Sequence, residues 1–269
     1  MNIYSNVGVN VETLAFCSFK GGTGKTTLSF NVGSNLAQIS KKRVLLVDLD
    51  PQANLTTSLG VQIHEEYSLN EVLRNSNEIA RAIHKTKIEN LDIIPSSVLV
   101  EDFRGLNKDA SLSVNHLHLA LQEIQNQYDI CILDTPPSLG ILTQEAFLAS
   151  QYLVVCLTPE PFSILGLQKI KEFCSTIAND LDVLGIVFSF WDERNSTNST
   201  YIGIIETIYE GKILSSKVRR DITVSRSLLK EAPVINVYPN SRAAQDILNL
   251  TKEIENKLFF NNKLVQETL

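Results

Sequence analysis

The segment FKGGTGKTT, Phe19 to Thr27, comes close to the phosphate-binding pattern G-x-x-x-x-G-K-[ST], in which glycines let backbone N–H groups approach phosphate oxygens and one lysine neutralises them. Lys25 is that lysine, and Gly24 precedes it. Phe19 stands where the pattern has its first glycine, and the loop opens instead on Lys20, Gly21 and Gly22. It is therefore a deviant loop with a second lysine at its front. Thr23, between the glycines, completes the turn.

The flanks supply the context that such a loop needs. Thr13 to Ser18 (TLAFCS) is a short apolar run that reads as a strand. After the loop, KTTLSFNVGSNLAQI places Leu28, Val32, Leu36 and Ile39 at helical spacing. A phosphate over residues 21–27 would meet the N-terminus of that helix, where unpaired N–H groups and a partial positive charge favour an anion. Thr26 is the expected Mg2+ ligand through its hydroxyl, with Thr27 beside it in the same first turn.

Outward from the loop, apolar runs alternate with helical patterns. Strands are expected at Thr13–Ser18, Arg43–Leu49, Leu91–Pro95, Tyr128–Asp134, Tyr152–Thr158 and Val183–Phe190, with later ones near Ile213–Val218 and Val234–Val237. Their nearly continuous hydrophobic character suits strands buried on both faces. Helices are expected at Leu112–Ile124, Ile164–Ile177 and Ser199–Tyr209, and residues 60–90 read as short helices and polar turns. The pattern predicts an α/β fold: one P-loop domain with a mostly parallel central sheet and helices on both faces. Ligands in such sheets bind beyond the carboxyl ends of the strands.

Composition bounds the rest. The chain has 269 residues, 43% of them hydrophobic, with no Gly/Ser/Pro-rich linker, so a single domain is expected between short tails at 1–11 and 261–269. The net charge of −6 argues against wholesale nucleic-acid binding but leaves room for a local basic patch. Cys17, Cys131, Cys156 and Cys174 form no C-x-x-C pair and suit buried thiols in a reducing cytoplasm. The N-terminus lacks a basic start and an apolar stretch, so neither export nor membrane insertion is expected.

Two acidic motifs fall where the geometry wants them. The second strand ends VLLVDLDPQAN, placing Asp48 and Asp50 at the carboxyl edge on one side of an extended backbone, with Pro51 biasing Asp50 towards that conformation. The run YDICILD ends in Asp134, followed by TPPS, a Walker B aspartate by pattern, which holds Mg2+ usually through a bound water. The N-K-x-D element of guanine-specific relatives is missing, because Asn107-Lys108-Asp109-Ala110 has no fourth-place aspartate; adenine is the expected base.

Taken together, KGGTGKTT, VDLDPQAN, LDTPPS and TPEPFSILGLQKI (Thr158 to Ile170) resemble the ParA/MinD class of P-loop ATPases over nearly the whole chain, in particular ParA-like partition proteins of small bacterial plasmids, including those of chlamydiae. The resemblance implies ATP and Mg2+ as cofactors and a homodimer formed on ATP binding. It makes Lys20 a contact to phosphates held by the partner subunit, Asp50 the residue that orients the attacking water, and Asp48 a support for metal and water. It makes Thr135 to Leu142 the segment that senses the γ-phosphate. It also places the adenine near Arg219, Arg220 and Asp221, although family members often carry proline at the place of Arg219.

ParA proteins bind DNA non-specifically as ATP dimers, through phosphate contacts. From Lys212 to Lys230 this chain has six basic residues against the single acidic Asp221, so the candidate contacts are Lys217, Arg219, Arg220, Arg226 and Lys230, with Arg194 in the loop WDERNSTNST. The implied partners are non-specific DNA and a ParB-like centromere-binding protein that stimulates hydrolysis, in a cytoplasmic, nucleoid-associated setting. A MinD-like membrane switch is the alternative, and would need a terminal amphipathic helix. The tail puts Ile247, Leu250, Ile254 and Leu258 on one face, but its polar face mixes Lys252, Glu253, Glu255 and Lys257, which favours packing on the sheet over lipid. Iron–sulfur ATPases of the same class would need exposed loop cysteines, and Cys131 and Cys156 lie in strand patterns.

Overall fold

The computed structural model describes residues 11–101 and 115–259. The N-terminal tail to residue 10, the start of the helix expected from Leu112, the string 107–110 and the tail from residue 260 lie outside the described residues. In chain order the elements are β1 Glu12–Cys17, α1 Lys25–Gln38, β2 Val44–Asp48, α2 Asn54–Ser58, α3 Leu69–Arg74, α4 Ile79–Ala82, β3 His84–Lys85 and β4 Leu91–Ile94. Then follow α5 His116–Glu123, β5 Ile130–Asp134, α6 Ile141–Leu148, β6 Tyr152–Leu157, α7 Pro161–Ile177, β7 Asp182–Trp191, α8 Asn198–Ile208, β8 Val218–Arg219, α9 Ile222–Leu228, α10 Val234–Val237 and α11 Arg242–Phe259.

The eight strands form one sheet in the order β3-β4-β2-β5-β1-β6-β7-β8. All pairs are parallel except β3 with β4 at one edge. Alternation along β1 shows why the strands read as unbroken apolar runs: Leu14 and Phe16 enter one core, while Ala15 and Cys17 enter the other. The first core is closed by Leu28, Val32 and Leu36 of α1 with Ile247, Leu250 and Ile254 of α11. The second is closed by Leu117 and Leu121 of α5, Phe147 of α6 and Leu167 and Ile170 of α7. Helix α1 lies so close to β2 that a Cβ on Gly33 would come within 2.8 Å of Leu46 Cδ2.

Two expectations at the far end of the chain are corrected. Val234–Val237 is a helical turn, not a strand. Pro233 fixes the backbone at its start, the Val234 N–H donates to Asn31 Oδ1 on α1, and Val234 packs into the helical layer rather than against a sheet edge. Ile213–Val218 is not a continuous strand either. Ile213 bridges Ile186, but the Ser215 and Ser216 N–H groups donate at 2.8 Å to the Glu253 carboxylate of α11, leaving only Val218–Arg219 to pair with β7. The face of α11 that carries Ile247, Leu250, Ile254 and Leu258 is fully buried on the sheet. Among the described residues no helix is long and apolar enough to cross a membrane.

Candidate active site

The loop between β1 and α1 sits at the carboxyl edge of the central strand. Gly24 adopts φ 81° and ψ 8°, a left-handed conformation that a side chain would strain, and it is the N-cap of α1. No side chain caps this helix and its first turn holds no acidic residue, so its free N–H groups and dipole remain available to an anion. The Ser18 hydroxyl donates to Lys20 O at 2.9 Å and fixes the start of the loop. Lys25 is only 6% exposed, and its Nζ lies 3.7 Å from Asp134 Oδ1.

Asp134 faces this lysine, and Asp48 and Asp50 lie close enough to Asp134 to act on its charge. Asp48 and Asp134 end adjacent parallel strands in direct register. Asp48 is fully buried: its Oδ2 accepts from the Thr56 N–H and hydroxyl, and its Oδ1 accepts from the Asp50 N–H. Burial, together with the Asp134 charge, raises the Asp48 carboxyl to about 7 in spite of those hydrogen bonds. Asp134 is likewise raised by burial, with Lys25, Thr26 and Ser29 pulling the other way. The Ser29 hydroxyl donates to Asp134 Oδ1 at 3.1 Å, whereas Asp134 Oδ2 is buried without a hydrogen-bond partner. A buried carboxylate oxygen left open beside the Thr26 hydroxyl fits Mg2+, which takes one or two protein oxygens and completes its shell with phosphate and water. Among the described residues no three His, Cys, Asp or Glu side chains converge into an all-protein metal cage.

Asp50 is 7% exposed and its Oδ1 accepts from the Gln52 N–H. Three residues on, Ala53 has φ 51°, a left-handed conformation unusual for alanine that marks strain beside the site. The four cysteines are free and buried.

In front of the loop opens a cleft of about 970 Å³ whose walls include Lys20, Gly21, Gly22, Phe190, Arg220 and Arg242. The Lys20 ammonium lies 2.5 Å from Glu160 of its own chain. Arg194, also on the cleft, grips Asp192 with two guanidinium nitrogens and holds that carboxyl down to about 2. Arg219 is committed to α11, where its Nε, Nη2 and backbone N–H all reach the Asp246 carboxylate. The Asp221 side chain caps α9 by accepting from the Thr223 N–H. Lys217 lies over the Trp191 ring and Lys230 over that of Tyr238, while Arg226 is exposed on α9.

Several participants escaped the sequence reading. Ser29 and Thr56 hold the two buried aspartates, Glu160 holds Lys20, and Arg242 adds a cation to the cleft. Only Ser29 and Arg242 had a legible sign: Ser29 is four residues past Lys25 on the same helix face, and Arg242 opens a helix at the end where a cation is disfavoured.

A phosphate loop leading from the central strand of a doubly wound sheet into a helix, with carboxylates at the tips of neighbouring strands, is the framework of a P-loop NTPase; the front lysine places it in the ParA/MinD type. A family model described as "AAA domain" matches residues 11–183. The chain is 86% identical to the virulence plasmid ParA family protein pGP5-D of Chlamydia psittaci over 259 residues, covering 96% of this chain and 100% of that one. A solved ATP complex of a single-site variant of Cyanothece McdA superposes with a TM-score of 0.82 at 21% identity, covering 92% of this chain and 97% of that one. Cobyrinic acid a,c-diamide synthase from Mycobacterium smegmatis, solved with an ATP analogue and magnesium, gives 0.77 at 26% identity over 91% and 95% of the two chains. The chain belongs to the ParA family.

Proposed function

We propose that this chain is a Mg2+-dependent ATPase of plasmid partition, which dimerises around ATP, binds DNA without sequence preference in that state and lets go after hydrolysis stimulated by a ParB-like partner. One observation carries the ATPase half. The buried Asp134 carboxylate, with one oxygen on Ser29 and the other without a partner, lies beside Lys25 at the mouth of an uncapped helix. Thr26 and Asp134 would hold Mg2+, with Asp48 behind them, and the metal would neutralise phosphate oxygens while the γ-phosphoryl group is transferred. The loop amides of Gly21 to Thr27 and the Lys25 ammonium bind and orient the phosphates. Asp50, just beyond the end of β2, would hold water in line.

The virulence plasmid ParA relative supports the partition reading. For DNA, the support is the exposed Arg220, Arg226, Lys230 and Arg242 in a chain of net charge −6, with Arg220 and Arg242 sharing the cleft; Arg219 and Arg194 already carry carboxylate partners. The burial of the apolar face of α11 removes the surface that a MinD-like lipid anchor would use within the described residues. The test measures binding to non-specific duplex DNA and to anionic liposomes with ATP, with ADP, and for Asp50→Ala. DNA binding is expected with ATP alone for the wild type, persisting in Asp50→Ala because hydrolysis is lost. ATP-dependent liposome binding without DNA binding would overturn the partition reading.

A further inference from the structure

The carboxyl end of β7 touches the phosphate loop directly, through a residue outside every recognised motif. The register of β7 against β8 shifts between Ser189 and Trp191, and Phe190 between them has φ 52°, a left-handed conformation rare for a bulky side chain. This bulge turns Phe190 outward, 42% exposed, and Ser189 inward, 3% exposed. The Ser189 hydroxyl lies 2.5 Å from Thr23 O and 3.2 Å from Leu157 O. A hydroxyl has one proton, and the shorter contact directs it to Thr23 O. A Cβ on Gly24 would lie 3.6 Å from Ser189 Cβ, so strand and loop are in van der Waals contact.

The Thr23 carbonyl and the Gly24 N–H belong to one planar trans peptide unit and point in opposite directions. A carbonyl drawn onto buried β7 therefore sends the Gly24 N–H away from the strand. Gly24, at φ 81°, has no side chain to restrict φ, the torsion on one side of this peptide, so the peptide can flip unless something holds it. The Thr23 hydroxyl offers no competing anchor, being buried without a partner.

We propose that Ser189 is a positioning residue for the phosphate loop, holding the Thr23–Gly24 peptide so that the Gly24 N–H is presented to a nucleotide phosphate. The inference rests on the nucleotide-binding reading above. The experiment titrates Mg-ADP into wild type, Ser189→Ala and Ser189→Thr, with thermal melting of each in the absence of nucleotide. Ser189→Ala should bind about tenfold more weakly, the value of one well-placed hydrogen bond to a charged group, while Ser189→Thr, which keeps the hydroxyl, stays within about threefold of wild type. Melting temperatures that fail to track these affinities separate loop positioning from general loss of stability. Ser189→Ala binding as tightly as a wild type that does bind, or Ser189→Thr binding as weakly as Ser189→Ala, overturns the inference alone. A wild type that binds no Mg-ADP overturns the nucleotide reading, and this inference with it.

Discussion

Asp134 and Lys25 are each buried with the other as nearest opposite charge, so neither is dispensable to the other. Lys25→Ala would leave Asp134 facing Asp50 and Asp48 without a cation, and would strip the phosphates of their charge-assisted contact. Nucleotide affinity should fall about 100-fold or more, read by titration with Mg-ADP. Asp48 gives a pH signature. Its carboxyl is raised from 3.8 in the unfolded chain to about 7 in the folded one, so the folded state holds the proton longer. The contribution is therefore fully present below 3.8 and is lost as pH rises through about 7, on the order of 4 kcal/mol across the window. Nucleotide-free wild type should lose stability relative to Asp48→Asn between pH 5 and pH 8 in urea titrations; parallel curves would contradict the burial argument. Lys25, Asp48, Asp50 and Asp134 were legible in the sequence because loop and strand-end motifs have fixed local spacing. Ser189 and Glu160 were not, because each acts on a residue that only the folded sheet brings near, and Thr56 was not, because the turn into α2 aims it back at Asp48.

The same division governs the elements. Strands β1, β2, β5 and β6 were legible because both their faces are buried, so their interiors are nearly continuous apolar runs, with polar residues at the strand ends. Val234–Val237 has strand-like composition, yet it turns as a helix, since Pro233 fixes its start and the Asn31 side chain accepts its first N–H. In the segment before β8, the carboxylate of Glu253 replaces a neighbouring strand, a substitution visible only once α11 is in place. Helix α11 is thus a structural wall as well as a support for the basic segment. Leu250 on its buried face is fully enclosed, so Leu250→Ala should cost about 2–5 kcal/mol in urea unfolding. A loss below about 1 kcal/mol would mean that this face is not packed as described, and would reopen the lipid alternative.

At the scale of the whole molecule, the front lysine is tied down in a single chain. Lys20 and Glu160 are 51% and 44% exposed, and an ion pair so placed contributes about 0–1 kcal/mol, little enough to be given up for a better partner. In the proposed ATP dimer, a phosphate held by the second subunit would be such a partner, since it would offer Lys20 a more highly charged acceptor than a single carboxylate. On that reading Glu160 would compete with dimerisation, and the two side chains of one pair should respond in opposite directions. Lys20→Ala should abolish the ATP-dependent dimer measured by light scattering or crosslinking. Glu160→Gln, which frees the lysine without removing it, should raise dimer affinity by up to about 30-fold, since a dimer gives up two such pairs of about 0–1 kcal/mol each. The double variant should behave as Lys20→Ala alone, because Glu160 has nothing left to withhold. If Lys20→Ala still dimerises with ATP and hydrolyses it normally, Lys20 belongs to its own chain, and the dimer must be completed by other residues.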